Sequence, residues 1–514
     1  MSSKVRAEIQ GLRALAVGLV ILYHLWPLHL PGGYIGVDVF FVISGFLITS
    51  HLVREVESSG RISLPQFWAR RARRLLPASL LVAAVSAVGV LVLVPKTLWV
   101  QFLREVFASV LYVQNWALAR DSVDYLAADN VVSPVQHFWS LSVEEQFYLV
   151  WPLLILLAVA LSRRRSNRWK RVAIAVTLGA VVAVSLAYSV WETFKTPQSA
   201  YFVTPTRAWE FGVGGLLAVL GTATRSEWNP ARSAVSWIGI GAIAISALTF
   251  TDQTPFPGWA AMIPVCGALA IIWAGETSGW WSSTWIARSV PVRFIGDTSY
   301  SSYLWHWPLI VLVPYATNSQ LTTGQKLLIL LATLLLAQAS KTLVEDPTRI
   351  AKFFAAARPR RTFAFSVLGM VAVLTISGCG LVALQMNVAA QKDAARSVLS
   401  NPPSCFGASA MDDGLVCDNP KLGGMIVPSP LYVDPDASSK CTRLDSDPSG
   451  LSPCEFGTPQ EDAAARVVLI GDSHAIHMRD ALLQTIKDRH WNAISLAKSG
   501  CPASLAVKII AEPD

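Results

Sequence analysis

Charged side chains are scarce in this chain of 514 residues: they make up 15% of it, against about 25% in an ordinary soluble protein. That shortfall excludes a wholly water-exposed chain, and 53% of the residues are hydrophobic. No cleavable signal peptide is evident. The first apolar run is followed by Pro31, Gly32 and Gly33 and then at once by another apolar run, where cleavage would be expected to release polar sequence. Nucleic-acid motifs are lacking too, despite a formal charge of +8, and the charge is spread in a way that opposes nucleic-acid binding. From Asn387 onward there are 11 Lys/Arg against 16 Asp/Glu, a net of −5, so the first 386 residues hold 31 against 18, a net of +13. No Cys-x-x-Cys pair or neighbouring His supports a metal site, and no inverted repeat supports a transporter.

What is present is a series of long apolar runs from Leu12 to about Leu384. Eleven reach the length needed to span about 30 Å of hydrocarbon. They begin near Leu12, Tyr34, Leu75, Phe138, Val172, Arg207, Ala234, Trp259, Ser299, Gln325 and Phe363. The stretch from Trp99 to Leu118 is interrupted by Gln101, Arg104, Glu105, Gln114 and Asn115 and reads as interfacial or re-entrant. Basic residues fall in alternate connections, as the positive-inside rule requires. Lys4 and Arg6 place the N-terminus in the cytoplasm, with further clusters at Arg54–Arg74, Arg163–Arg171, Arg225 and Arg232, Arg288 and Arg293, and Arg349–Arg361. An odd number of crossings puts everything after about Gln385 outside. The expected architecture is an all-α polytopic membrane bundle of about eleven helices followed by an extracytoplasmic α/β domain.

Ionisable groups inside apolar helices cost several kcal/mol and are functional candidates by default. Arg13 stands at the cytoplasmic start of the first run and His24 eleven positions later, about 16 Å along the axis. Counted from an outer end near Leu30, His24 is about 9 Å deep, as are Glu144 and Glu145 counted from Phe138. A His with a carboxylate partner suits general-base work; the plainer alternative is a satisfied polar group between helices. The run "FWARRARRLLP" sets Arg70, Arg71, Arg73 and Arg74 at the cytoplasmic mouth beside Arg13. Planar guanidiniums grip phosphates in bidentate fashion, so a phosphate-bearing acyl donor fits there, although the cluster also serves as an orientation signal.

Five segments, "EIQGLRALAVGLVILYH", "GGYIGVDVFFVISGFLIT", "RRARRLLPA", "FWSLSVEEQFYLVWP" and "GDTSYSSYLWHWPLIV", resemble in this order the signatures of the membrane-bound acyltransferase family 3. The resemblance covers about residues 5–350. It implies acyl-CoA, by default acetyl-CoA, as cytoplasmic donor and sugar hydroxyls as acceptors, in a bacterial cytoplasmic membrane. Through it, His24 becomes the catalytic His, Arg13 its companion, and an Arg pair the donor contact, in either the Arg70/Arg73 or the Arg71/Arg74 register. Glu144 or Glu145 and the segment with Tyr303 and His306 complete the site. His306 comes in from the cytoplasmic side and is expected to touch the donor.

After residue 386 the texture changes. A Pro-, Ser- and Asp-rich stretch to Asp462 holds Cys405, Cys417, Cys441 and Cys454, whose spacing favours disulfides Cys405–Cys417 and Cys441–Cys454. Then "RVVLIGDSHAIHMRDALLQTIKDRHWNAISLAKSGCP" reads as a strand (Val467 to Ile470), an amphipathic helix and a second strand (Ala493 to Ala497), the opening of a parallel α/β domain. "IGDSH" after a strand resembles the first block of SGNH-type esterases and acyltransferases. Ser473 would be the nucleophile, preceded by Asp472, with its own N–H and that of Gly500 as oxyanion donors. That family supplies its Asn, Asp and His later than residue 514, so a C-terminal truncation is expected. The domains are thus 1–362 acyltransferase-type, 363–386 an additional span, 387–462 a Cys-containing extension and 463–514 the start of an SGNH-like domain. The expected function is an O-acyltransferase that moves an acyl group, acetyl by default, from cytoplasmic acyl-CoA to an envelope glycan or glycolipid. A membrane-tethered esterase and a transporter are the rivals; no metal and no nucleic acid are expected.

Overall fold

The computed structural model describes residues 6–123, 130–162, 165–221, 230–350, 359–403 and 454–497, with a few single positions between 405 and 443. The chain divides into two units, Met1–Gln385 and Met386–Asp514.

The first unit is helical. In order it forms α1 (Ala7–Leu25), α2 (Gly36–Ser59), α3 (Leu64–Leu93), α4 (Trp99–Val110), α5 (Gln114–Asp121), α6 (Phe138–Leu161), α7 (Asn167–Lys195) and α8 (Pro197–Ala200). These are followed by α9 (Thr204–Leu220), α10 (Pro230–Thr249), α11 (Met262–Ala274), α12 (Thr284–Arg288), α13 (Val290–Thr317), α14 (Thr323–Ser340), α15 (Asp346–Ile350) and α16 (Pro359–Ser400), whose last residues, from Met386, belong to the second unit. Helix ends follow local chemistry. Gly60 at φ +70° closes α2, a left-handed position that glycine adopts without a Cβ clash. Thr322 and Gln325 form a reciprocal capping box on α14.

A helix lies at each of the eleven expected spans, yet among the described residues eight are both long and apolar enough to cross a membrane. The other three differ for visible reasons. α9 has 17 residues and α11 has 13. α13 has 28 but turns a polar face inward, with Thr298, Ser299, Ser301, Ser302 and His306 buried. The stretch expected to be interfacial is two short helices, α4 and α5, broken near Tyr112 at φ +55°. Its polar residues fold inward: Glu105 accepts from Gln101 at 3.1 Å, Gln114 at 2.7 Å and Ser133 at 2.5 Å.

α2 and α9 cross at backbone contact. A Cβ on Gly45 would sit 2.0 Å from the Phe211 carbonyl oxygen, and one on Gly214 would sit 2.2 Å from that of Val42, so small residues here set the interhelical distance. Beside this crossing Arg207 of α9 donates from Nη1 to Asp38 of α2 and to Glu210, both at 2.9 Å. All three side chains are fully buried. The rings of Phe41, Trp139, Tyr201 and Phe256 surround the guanidinium at 5.1–6.0 Å, a cage that favours the cation.

In the second unit β3 (Ala465–Gly471) and β4 (Trp491–Ala497) flank helix α17 (Ser473–Asp488) and pair in parallel, Val467 opposite Ala493. The strand–helix–strand read from the sequence is therefore present. β2 (Cys454–Gly457) pairs antiparallel to β4 and to the two-residue strand β1 (Thr442–Arg443), giving the order β1-β2-β4-β3.

Candidate active site

The four arginines of α3 fall into two pairs. Arg71 and Arg74 line a cavity with Arg13 of α1, Ser44 of α2, Glu144 of α6 and Tyr300 of α13. The Arg71 guanidinium lies over the rings of Phe67 (5.8 Å) and Tyr148 (5.7 Å), which hold it without neutralising it. Arg70 instead points away, its Nη2 3.0 Å from His51 Nε2 and 3.5 Å from Glu55, and Arg73 donates to Thr362 at 3.0 Å. The neighbouring helices make the choice: Arg71 and Arg74 face the cavity they line with Arg13 of α1 and Glu144 of α6. Three guanidiniums against the one carboxylate of Glu144 leave this arginine cavity cationic. That carboxylate accepts from the hydroxyls of Ser44 and Tyr148, and Glu145 is not among the lining residues.

A second cavity, of about 230 Å³, is lined by His24, His137, Tyr34, Trp139, Tyr201 and Trp307, among others. His24 is not placed beside a glutamate, as expected from the sequence. Its Nδ1 lies 3.0 Å from Nε2 of His306. Helix limits account for the difference. α1 ends at Leu25, five residues sooner than counted, so His24 sits in its last turn rather than at the depth of Glu144. α13 begins at Val290, nine residues before the expected start at Ser299, which puts His306 about 24 Å along its axis. His24 is about 26 Å along α1, and the two rings meet. His306 thus stands against His24, and it is not among the residues that line the arginine cavity.

The hydrogen bonds assign the protons. Nδ1 of His306 is 2.6 Å from the Tyr303 carbonyl oxygen, which only accepts, so Nδ1 carries the hydrogen. Nε2 of neutral His306 is then a bare acceptor and takes the hydrogen of His24 Nδ1. That leaves His24 Nε2 unprotonated, the tautomer a general base requires. A backbone carbonyl and a second imidazole here do the orienting that a carboxylate was expected to do.

His137 was not singled out from the sequence. Its Nε2 is 3.1 Å from the Leu304 carbonyl and so donates, while its Nδ1 has no hydrogen-bond partner among the described residues. The ring lies 5.7 Å from that of His306. Its place next to the "FWSLSVEEQF" run was the available signal. His24 and Trp307 also border a wider apolar groove with Val131, Ile310 and Pro314.

In the second unit Ser473 is the first residue of α17, immediately after β3. Asp472 is the helix N-cap: its carboxylate accepts from the backbone N–H of His474 at 2.9 Å, and that bond holds Asp472 below the usual carboxylate range. Cys405 and Cys454 each take part in a disulfide; Cys417, Cys441 and Gly500 lie outside the described residues. Among the described residues no cluster of metal-ligating side chains occurs.

A cationic cavity beside a base-bearing one inside a multi-pass bundle fits a membrane acyltransferase. The chain belongs to the acyltransferase 3 family, whose acyltransferase-domain model matches residues 6–340. A second model, an SGNH domain of the kind fused to such domains, matches residues 440–512. Among curated relatives, the peptidoglycan O-acetyltransferase OatA of Listeria monocytogenes is 31% identical over 432 residues, covering 78% of this chain and 67% of the relative. The O-acetyltransferase OatA of Staphylococcus aureus is 34% identical over 380 residues (72% of this chain, 61% of the relative). The putative peptidoglycan O-acetyltransferase YrhL of Bacillus subtilis is 32% identical over 356 residues (67% and 55%). The chain thus spans roughly three fifths of the length of these relatives. No solved structure matches it.

Proposed function

We propose that this protein is an O-acetyltransferase of the bacterial cytoplasmic membrane that moves acetyl groups from cytoplasmic acetyl-CoA to hydroxyls of a cell-wall glycan, with its N-terminus inside and its second unit outside. The observation that carries the reading is that the cationic cavity of Arg13, Arg71 and Arg74 and the cavity lined by His24 share two lining residues, Val37 and Tyr303, while His24 is paired with His306. The arginines bind the phosphates of the donor and orient its thioester toward His24. His24 Nε2 takes the proton of an attacking hydroxyl as the new C–O bond forms; the C–S bond breaks, and the proton passes to the departing thiolate. Ser473 is the acyl carrier of the outer unit: its hydroxyl attacks the ester so formed and releases the first hydroxyl, and a sugar hydroxyl then takes the acetyl group and releases the serine, with the N-terminus of α17 stabilising the oxyanion. Disulfides Cys405–Cys417 and Cys441–Cys454 brace that unit. Peptidoglycan is the favoured acceptor because it is the one in the names of the Listeria and Bacillus relatives.

The test is complementation. A strain lacking the protein, supplied with wild type, regains O-acetyl groups on its cell-wall glycan by mass spectrometry. His24→Ala, inserted to the same level, restores none. Glycan acetylation by the His24→Ala variant would remove the chemistry from this histidine.

A further inference from the structure

The arginine and histidine cavities have two lining residues in common, Tyr303 and Val37. Both are buried, at 6% and 5% exposure, and they stand between the two spaces as a partition. Tyr303 is held there rather than free to turn. Its hydroxyl donates to the His137 carbonyl oxygen at 3.0 Å and accepts from Ser140 Oγ at 2.6 Å. Its ring packs against those of His137 and His306, with centroids 5.5 and 5.4 Å away, and its own carbonyl receives the His306 hydrogen. One residue thus lies between the two cavities and, through its carbonyl, fixes the tautomer of the histidine pair.

We propose that Tyr303, backed by Val37, sets the length of acyl chain the enzyme transfers. The inference rests on the donor reading above and deepens it. A donor whose phosphates are fixed by Arg13, Arg71 and Arg74 brings its thioester to the partition from one side. The acyl tail must fit beside the Tyr303 ring to bring the carbonyl carbon near His24. Because the ring is held between those of His137 and His306, it does not retreat for a longer chain. Close packing of this kind discriminates against one extra methylene by about 10- to 200-fold, so acetyl passes and longer chains are excluded. The bulk of the ring, not the hydroxyl, does the selecting.

The experiment uses the full chain, reconstituted in vesicles with purified cell-wall fragments as acceptor, and follows release of CoA thiol from acetyl-, propionyl- and butyryl-CoA. Wild type prefers acetyl over propionyl by at least about tenfold. In Tyr303→Ala that preference falls at least about tenfold; Tyr303→Phe, which keeps the ring, stays acetyl-selective. Val37→Ala, a small change on the opposite side of the partition, shifts the preference the same way and decides the matter if Tyr303→Ala does not fold. An unchanged acyl preference in both alanine variants overturns the proposal, as does a Tyr303→Phe enzyme as permissive as Tyr303→Ala. If wild type releases thiol from none of the three thioesters, the donor reading itself fails, and the selector falls with it.

Discussion

Replacing Arg71 and Arg74 together with Gln is the most direct trial of the arginine cavity, because the same helix supplies an internal control. Both side chains line the cavity with Arg13, and cation–π contacts hold the Arg71 guanidinium in place without using up its charge. A hydrogen bond from such a cation to a phosphate contributes about 1.5–3 kcal/mol when formed in full. Discounting each to about 1 kcal/mol for partial exposure and screening, the pair contributes about 2 kcal/mol, or roughly thirtyfold in affinity. Arg70→Gln/Arg73→Gln removes the same formal charge from the same helix. Yet Arg70 is engaged by His51 and Glu55 and Arg73 by Thr362, so binding should weaken by less than about threefold. Calorimetric titration of acetyl-CoA into the purified full chain separates the two, and residual binding in the Arg71/Arg74 variant should depend less on salt. Lysines at 71 and 74 should restore only part of the loss, since an ammonium cannot grip a phosphate in bidentate fashion. Equal losses in the two double variants would mean that net charge at this end, not geometry, attracts the donor. No loss in either would send the donor elsewhere.

Other expectations follow from the same geometry. His306→Ala should cut turnover about 100-fold or more while leaving donor affinity within about twofold, because it frees the wrong nitrogen of His24; His306→Gln, whose amide oxygen can still accept from His24 Nδ1, should recover part of that loss, and equal defects in the two would argue against tautomer control. Gly45→Val should lower the melting temperature of the detergent-solubilised protein markedly, by overpacking worth about 1–3 kcal/mol or more, whereas Gly18→Ala, with nothing within 4 Å of the added Cβ, should not; a tolerant Gly45 would refute the backbone-contact crossing. A cysteine at Asp462 should be labelled on intact cells and one at Arg165 only after permeabilisation; the reverse would invert the proposed orientation.

The bundle was readable because apolar runs and alternating arginines are one-dimensional signals, and each of the eleven runs does contain a helix. What escaped was length. α1 ends at Leu25, short of the apolar stretch that continues to Leu30, and α13 starts at Val290, nine residues ahead of the apolar run that begins at Ser299, and those few residues decided which side chains meet. His24 is half-buried, and its partner stands 282 residues away, farther than any spacing rule reaches. The arginine register could not be separated on paper, since both pairs are three residues apart; the neighbouring helices separate them. His137 was passed over because a lone histidine at the edge of an apolar run carries little information until its unpaired nitrogen is seen.

The Arg207–Asp38–Glu210 cluster constrains how the molecule is made. Asp38 and Arg207 are 169 residues apart, so at about 5–20 residues per second the ribosome needs roughly 8–34 s to deliver the second after the first. Throughout that interval α2 carries an unpaired carboxyl group in its first turn, where a charge costs less than the roughly 2.5–3.5 kcal/mol it would cost at the centre of a span. Nascent chains halted before α9 emerges should therefore hold α2 loosely, within reach of the insertion machinery, and settle only when the arginine arrives. Biogenesis of this bundle has a waiting step written into it, and its length is set by the stretch of message between two codons.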